Sequence, residues 1–289
     1  MPFRPFQLLK KCGTLSQTFS IYGACGIVCF GWMLSSLLDF DCRRYAPLWF
    51  CSALFIYNLD RLKTDPADPI NIPHRSRVAA HFRKISIIIA ILAAFAIVVV
   101  PVLQGDPLMA VLTIGGCFFC VNYSIPLLGF RFKDIPLLKT FFAPTLVTAA
   151  FLIPPLLQQS HGHHVAYYVT AAAWTWCVLM FNMMLCDLRD IAGDSALGIR
   201  SIPVVLGFRR TLITLVLQLF LIALLSALKI GMSAPRNVAT WCGISTGVVI
   251  YLAMLLAVVW KSKVRPESFY EWWVEGILFV PAVIYCFAR

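Results

Sequence analysis

Charge is what this chain has least of. Only 13% of its 289 residues are Asp, Glu, Lys or Arg, about half the share of a typical soluble domain. With 60% hydrophobic residues and a mean hydropathy of +0.83, a soluble fold would lack the polar surface to cover its core. A bilayer can solvate such a surface, provided the backbone bonds itself within helices. A cleavable leader is not expected either: the basic start MPFRPFQLLKKCG is followed by an apolar stretch without a convincing small-residue cleavage site, so that stretch is expected to stay as a first span. Nothing along the chain forms a nucleophile–base dyad or triad.

Acids are scarcer than bases, 13 against 24, for a net charge of +11. In a soluble protein this would suggest nucleic acid, but here the bases lie between apolar runs, and no basic face interleaved with aromatics stands on a soluble element. Membrane topology and anionic lipid account for them; no nucleic-acid partner is expected. Most of the 11 cysteines lie inside apolar runs, the Cys117–Cys120 pair included. They read as small buried hydrophobes.

A helix needs about 20 apolar residues to cross the hydrocarbon. Nine stretches qualify or nearly do: 17–38, 45–59, 85–103, 107–125, 136–157, 164–186, 208–230, 238–260 and 271–288. The second is short and is expected to run past Asn58 toward water. The fold class is therefore all-α: a polytopic membrane protein of about nine transmembrane helices around a central cavity. It forms one domain, 1–289, of two similar helical halves, about 17–157 and 158–289. Of the 24 Lys and Arg, all but Arg43, Arg44, Lys229, Arg236 and Arg289 fall on one side of this topology. By the positive-inside rule that side is cytoplasmic, with the N-terminus inside and the C-terminus outside. Trp272 and Trp273 read as an interfacial aromatic belt. HGHH at 161–164 reads as a polar loop facing the other way.

Seven of the ten aspartates share the cytoplasmic side: Asp60, Asp65, Asp68, Asp134, Asp187, Asp190 and Asp194. Two acidic stretches hold most of them. The first reads YNLDRLKTDPADPINIPHRSR (57–77) and the second CDLRDIAGDSALGIRSIPVVLG (186–207). Asp187, Asp190 and Asp194 are three and four apart, which on a helix places them on one face. Such carboxylates repel unless a cation neutralises them, and hard oxygen donors suit Mg²⁺ held jointly with substrate phosphates. Arg61, Lys63, Arg75, Arg189 and Arg200 stand among them as phosphate contacts. The plainer reading is of solvated loop charges in local ion pairs; the recurrence of two such stretches, after the second and sixth spans, favours a shared site.

The second stretch resembles the UbiA superfamily of intramembrane prenyltransferases. Asp187, Asp190, Gly193, Asp194, Gly198, Ser201, Pro203 and Gly207 match that family's D-x-x-D-x-x-x-D run and its close, most like the chlorophyll-synthase, menaquinone and archaeal lipid branches. The first stretch departs from the family pattern. Asp60-Arg61 matches an Asp-Arg pair, Asp65 falls one residue late, Asn58 is two residues before Asp60, and INIPHR (70–75) is similar to an INxPxR stretch. In YSIPLLGFRFKDIPLLK (123–139) Tyr123 matches, and Leu127 stands where some members have Lys, with Arg131 or Lys133 as substitutes. The resemblance implies Mg²⁺-dependent transfer of a prenyl group from an isoprenoid diphosphate to an aromatic, tetrapyrrole or lipid acceptor. It implies Asp60, Asp65, Asp187, Asp190 and Asp194 as metal ligands, with Asp60 and the second-stretch trio as the catalytic residues. Asn58, Arg61, Arg75, Tyr123, Lys133, Arg189 and Arg200 then bind substrate, and Phe181, Asn182 and Met183 line the cavity. Competing readings are a polyprenyl-lipid-binding protein without turnover, and a secondary transporter, for which charges at mid-span would be the mark.

Overall fold

A computed structural model describes residues 16–17, 19–62, 66–157, 165–233, 235–262 and 265–288. Asp65, Lys63 and the HGHH stretch at 161–164 lie outside these residues, as does the Arg61 side chain. The described residues are mostly helical, joined by short turns. In order they form α1 (Ile21–Leu37), α2 (Ala46–Leu62), α3 (Asp68–Asn71), α4 (Pro73–His81), α5 (Arg83–Leu103), α6 (Pro107–Ser124), α7 (Leu138–Leu157), α8 (Val165–Ala196), α9 (Ile202–Leu206), α10 (Phe208–Gly231), α11 (Pro235–Lys261) and α12 (Val280–Ala288).

Six of these, α5, α6, α7, α8, α10 and α11, are long and apolar enough to cross a membrane, and a seventh crossing forms if the bent pair 269–278 and 280–288 counts as one. The chain is an integral, multi-pass membrane protein. Helices α1 and α2 have 17 residues each, about 25 Å at 1.5 Å per residue. The expected count of nine would require both of these to cross as well. Neighbour packs on neighbour around the bundle: α1 on α2, α2 on α5 and α6, α7 on α8, α8 on α10, α10 on α11, and α11 on α12, which returns to α1. Of the six long apolar helices, α8 is the most enclosed, with 56% of its apolar window buried against 28% for α5 and for α6. The outer helices turn Ile88, Ile91, Leu92 and Phe95 of α5, and Leu217 and Phe220 of α10, outward, where lipid rather than water suits them.

Two departures from the sequence expectation matter for the site. The sixth stretch, expected over 164–186, continues as α8 to Ala196, so Asp187, Asp190 and Asp194 stand on the helix itself and not in a loop. Carboxylates near a helix C-terminus oppose its dipole; the side chains of Lys139 and Arg189 offset that. The helix stops where Gly198 turns left-handed (φ 71°) and Ile199 N–H returns to the Asp194 carbonyl at 2.9 Å, a glycine-terminated end. The last stretch, expected as one helix over 271–288, is broken. A π-helical turn (Phe269–Val274) and a 3₁₀ turn (Glu275–Leu278) meet α12 at a 46° bend. Pro281 at the start of α12 brings no N–H for Ile277, and Gly276 lies so close to Tyr251 Oη that a β-carbon would sit 2.7 Å from it. Trp272 and Trp273 ride this turn, Trp273 well exposed. The ten described cysteines are free thiols.

Candidate active site

The carboxyl-terminal turns of α8 carry the site. Trp174, Phe181, Met184 and Leu185 of the same helix are almost fully buried and fix its rotation, so the face bearing residues 187, 190 and 194 turns toward the start of α7. Phe181, for which helix packing is the plainer reading beside a place in the cavity wall, is one of these core anchors; Asn182 and Met183 are half-buried.

The three carboxylates gather around one ammonium. Lys139 Nζ lies 2.6 and 2.8 Å from the two oxygens of Asp194, 3.4 Å from Asp187 Oδ1 and 3.8 Å from Asp190 Oδ2. Asp187 is fully buried. Its Oδ2 accepts from Thr140 Oγ1 at 2.6 Å, while Oδ1 makes no hydrogen bond. Asp190 is held by its neighbour on the chain, Arg189, whose Nε and a terminal nitrogen donate to its two oxygens at 2.7 and 3.1 Å. The guanidinium carbon of Arg189 sits 5.2 Å from the centre of the Tyr270 ring, a cation–π distance.

The backbone delivers Lys139 rigidly. Leu137, just before α7, takes a left-handed conformation (φ 67°), and its N–H donates to the Arg200 carbonyl at 2.8 Å. Thr140 Oγ1 also accepts from Ile202 N–H at 3.2 Å. The first turn of α7 is thus pinned to the segment that joins α8 to α9. The Arg200 side chain itself is exposed.

The first acidic stretch meets this cluster from the other side. Asn58, fully buried, donates through Nδ2 to the Leu54 and Phe19 carbonyls at 2.8 and 3.0 Å, which ties α2 to the backbone two residues before α1. Asp60 is exposed and accepts a hydrogen bond from Ser124 Oγ. Helix α3 packs on α8, and Asn71 Oδ1 accepts from Gly193 N–H at 2.8 Å. Arg75 lies near enough to Asp190 for its charge to act on that carboxylate, and pairs with Glu275 at 3.8 Å. The N–H groups of His74 and Arg75 both donate to Glu267, at 2.9 Å each, so a side chain far along the chain caps α4.

Tyr123 stands within reach of both acidic groups. It feels the charges of Asp60, Asp187, Asp190 and Asp194 and stacks on Phe142 with ring centres 4.9 Å apart. Lys133, buried, holds its Nζ 6.0 Å from the Tyr123 ring centre. Sequence reasoning did not single out Lys139, Thr140, Ser124, Glu267, Glu275 or Tyr270 as site residues.

Among the described residues, no group of three or more His, Cys, Asp or Glu side chains is placed to hold a metal unaided. The donor set nonetheless suits a hard cation. It is all carboxylate oxygen, it already surrounds one positive charge, and it includes a buried Asp187 oxygen without a hydrogen bond. A metal bound here would complete its shell with substrate oxygens, as Mg²⁺ does when it binds through one or two carboxylates and phosphates.

Comparison with known proteins bears on the family and the fold. The family model described as "UbiA prenyltransferase family" matches residues 65–275. A digeranylgeranylglyceryl phosphate synthase from Natronomonas pharaonis is 26% identical over 159 residues, 55% of this chain, and the chain spans about half (54%) of that relative's length. Two structures of a UbiA homolog from Archaeoglobus fulgidus share the fold. One, bound to GPP and Mg²⁺, has a TM-score of 0.62 over 96% of this chain and 99% of its own. The other, bound to DMAPP and Mg²⁺, has 0.61 over 95% and 98%. Both are 13% identical to this chain.

Proposed function

Because the chain belongs to the UbiA prenyltransferase family, we propose that it transfers a prenyl group from an isoprenoid diphosphate to a hydrophobic acceptor within the membrane, in a Mg²⁺-dependent reaction. The observation that carries this reading is the gathering of Asp187, Asp190 and Asp194 around a single cation position. Asp187, Asp190 and Asp194, with Asp60 and Asp65 of the first stretch, would hold Mg²⁺, which neutralises charge on the diphosphate as the allylic C–O bond breaks.

The remaining chemistry belongs to the chain's own residues. Arg75, Arg189 and Lys133 lie within this network and bind phosphate oxygens as fixed cations; Arg61 and Arg200 supply further positive charge at the rim. Tyr123 and Asn58 position the donor, Asn58 indirectly through the end of α2. Helices rich in Phe, Trp and Met exclude water from the allylic cation, which water would otherwise quench, and their ring faces stabilise it. The acceptor then bonds to the cation carbon and releases a proton, and diphosphate leaves. No nucleophilic side chain is needed.

The same reading places nine crossings in the bilayer, with α1 and α2 spanning as short helices in two similar halves, and sets the acidic site on the cytoplasmic face, as the distribution of Lys and Arg supports. The test uses full-length protein in lipid vesicles with radiolabelled farnesyl or geranylgeranyl diphosphate, Mg²⁺ and a panel of aromatic, tetrapyrrole and glycerol-phosphate acceptors. An Asp187→Ala/Asp190→Ala variant runs beside it. Mg²⁺-dependent product that the variant loses supports prenyl transfer and names the acceptor class. Neither product nor diphosphate release from any donor would overturn it and leave lipid binding or transport as the function.

A further inference from the structure

Lys139 occupies the position that a cation bound by the α8 carboxylates would take. Its ammonium meets both oxygens of Asp194 and lies within 4 Å of Asp187 and Asp190. Only 12% of its side chain is exposed, and the turn that carries it is fastened by the Leu137–Arg200 and Thr140–Ile202 bonds. This is a placed charge and not a surface lysine that has drifted onto an acid.

A divalent ion on the same oxygens would sit about 2 Å from them, within a few ångströms of an ammonium that already hydrogen-bonds to Asp194. In a site shielded from water, two like charges at such a distance repel strongly. The ammonium and the ion therefore exclude one another. Charge balance points the same way. Three carboxylates against Lys139 and Arg189 leave one net negative charge, which pulls weakly on a bare dication. An allylic diphosphate brings further negative charge, restores the pull, and offers the displaced ammonium new phosphate oxygens.

We propose that Lys139 is a built-in counter-cation that holds Asp187, Asp190 and Asp194 together in the donor-free protein and competes with the metal for them, so that metal binding is coupled to arrival of the donor diphosphate. The inference rests on the prenyl-transfer reading and adds to it a specific residue and an order of binding. Lys139 acts here as a positioning residue through the carboxylates.

The test reads metal binding apart from turnover. Mn²⁺ binding to full-length protein in lipid nanodiscs is measured by electron paramagnetic resonance, with and without a non-reactive farnesyl thiodiphosphate, for wild type, Lys139→Met and Lys139→Arg. The donor-free affinity of Lys139→Met should rise about tenfold, within the usual range of coupling between sites. Lys139→Arg should stay near wild type, and the gap should narrow once the diphosphate is present. Should the loss of this ammonium keep Lys139→Met from folding, wild type alone decides: its Mn²⁺ affinity should rise about tenfold on adding the thiodiphosphate. Equal affinities with and without the analogue, or no gain in Lys139→Met while analogue-dependent binding persists, would overturn this inference and leave prenyl transfer standing. No Mn²⁺ binding by any protein under either condition would overturn both.

Discussion

The side-chain amide of Asn71 fills the space where a β-carbon on Gly193 would lie, with its Nδ2 and Oδ1 each 2.6 Å from that position. The same Oδ1 accepts the Gly193 N–H at 2.8 Å. A short helix within the first acidic stretch, α3, is thereby keyed into α8 between Asp190 and Asp194. Gly193→Ala would force Asn71 aside and break this bond. Alanine also favours the helix by about 1 kcal/mol over glycine, so the unfolding temperature should hold or rise while Mg²⁺-dependent turnover falls. Parallel thermal melts and donor titrations check this; a fall in both, or in neither, would count against the keying.

Thr140 serves two groups at once: it donates to Asp187 Oδ2 at 2.6 Å and accepts from Ile202 N–H at 3.2 Å. Thr140→Val keeps the shape and removes both bonds. A buried carboxylate oxygen that loses its donor costs about 1–3 kcal/mol. The variant should unfold at lower denaturant with an unchanged slope, and the loss should shrink when Asp187 is also made Asn. A double-mutant cycle measures that coupling.

Much of the site is legible in the sequence. The three-and-four spacing of Asp187, Asp190 and Asp194 is a local signal, and helical periodicity alone places them on one face. The cluster's own counter-ion is not legible in this way. Lys139 and Thr140 come from another helix, Thr140 lying 47 residues before Asp187, and nothing local marks one lysine among the many on that side of the chain. Glu267 is hidden for the same reason, since it caps a helix 192 residues earlier. The sequence understates the extent of α8 because acids at a helix C-terminus read as a stop signal when the cations that permit them are distant along the chain. The break near Phe279 is masked because an apolar run conceals a bend that depends on Pro281 and on the packing of Gly276 against Tyr251.

Glu267 offers its two carboxylate oxygens to the first two free N–H groups of α4, those of His74 and Arg75. A cap of this kind contributes about 1 kcal/mol, and here it also orients the residue that pairs with Glu275 and acts on Asp190. Glu267→Ala should therefore raise the KM for the diphosphate donor several-fold with a smaller change in kcat. Glu267→Asp should recover part of the loss. A uniform fall in kcat at constant KM would show that α4 does not help to bind the donor.

Lys229 is buried in α10 away from the acidic cluster. Its Nζ donates to the Tyr167 carbonyl at 2.9 Å and lies 5.2 Å from the centre of the Trp241 ring. Taking an ammonium out of water costs several kcal/mol, and one carbonyl with aromatic faces returns only part of that. An apolar side chain of like length removes the cost and keeps the packing. Lys229→Met should raise the unfolding temperature in detergent or lipid and leave prenyl transfer as it is, whereas Lys229→Ala should lower stability by opening a cavity. Thermal melts of the two variants side by side separate charge from volume. If Lys229→Met destabilises as much as Lys229→Ala, the ammonium is itself a stabilising contact at this end of the bundle, and the desolvation argument fails.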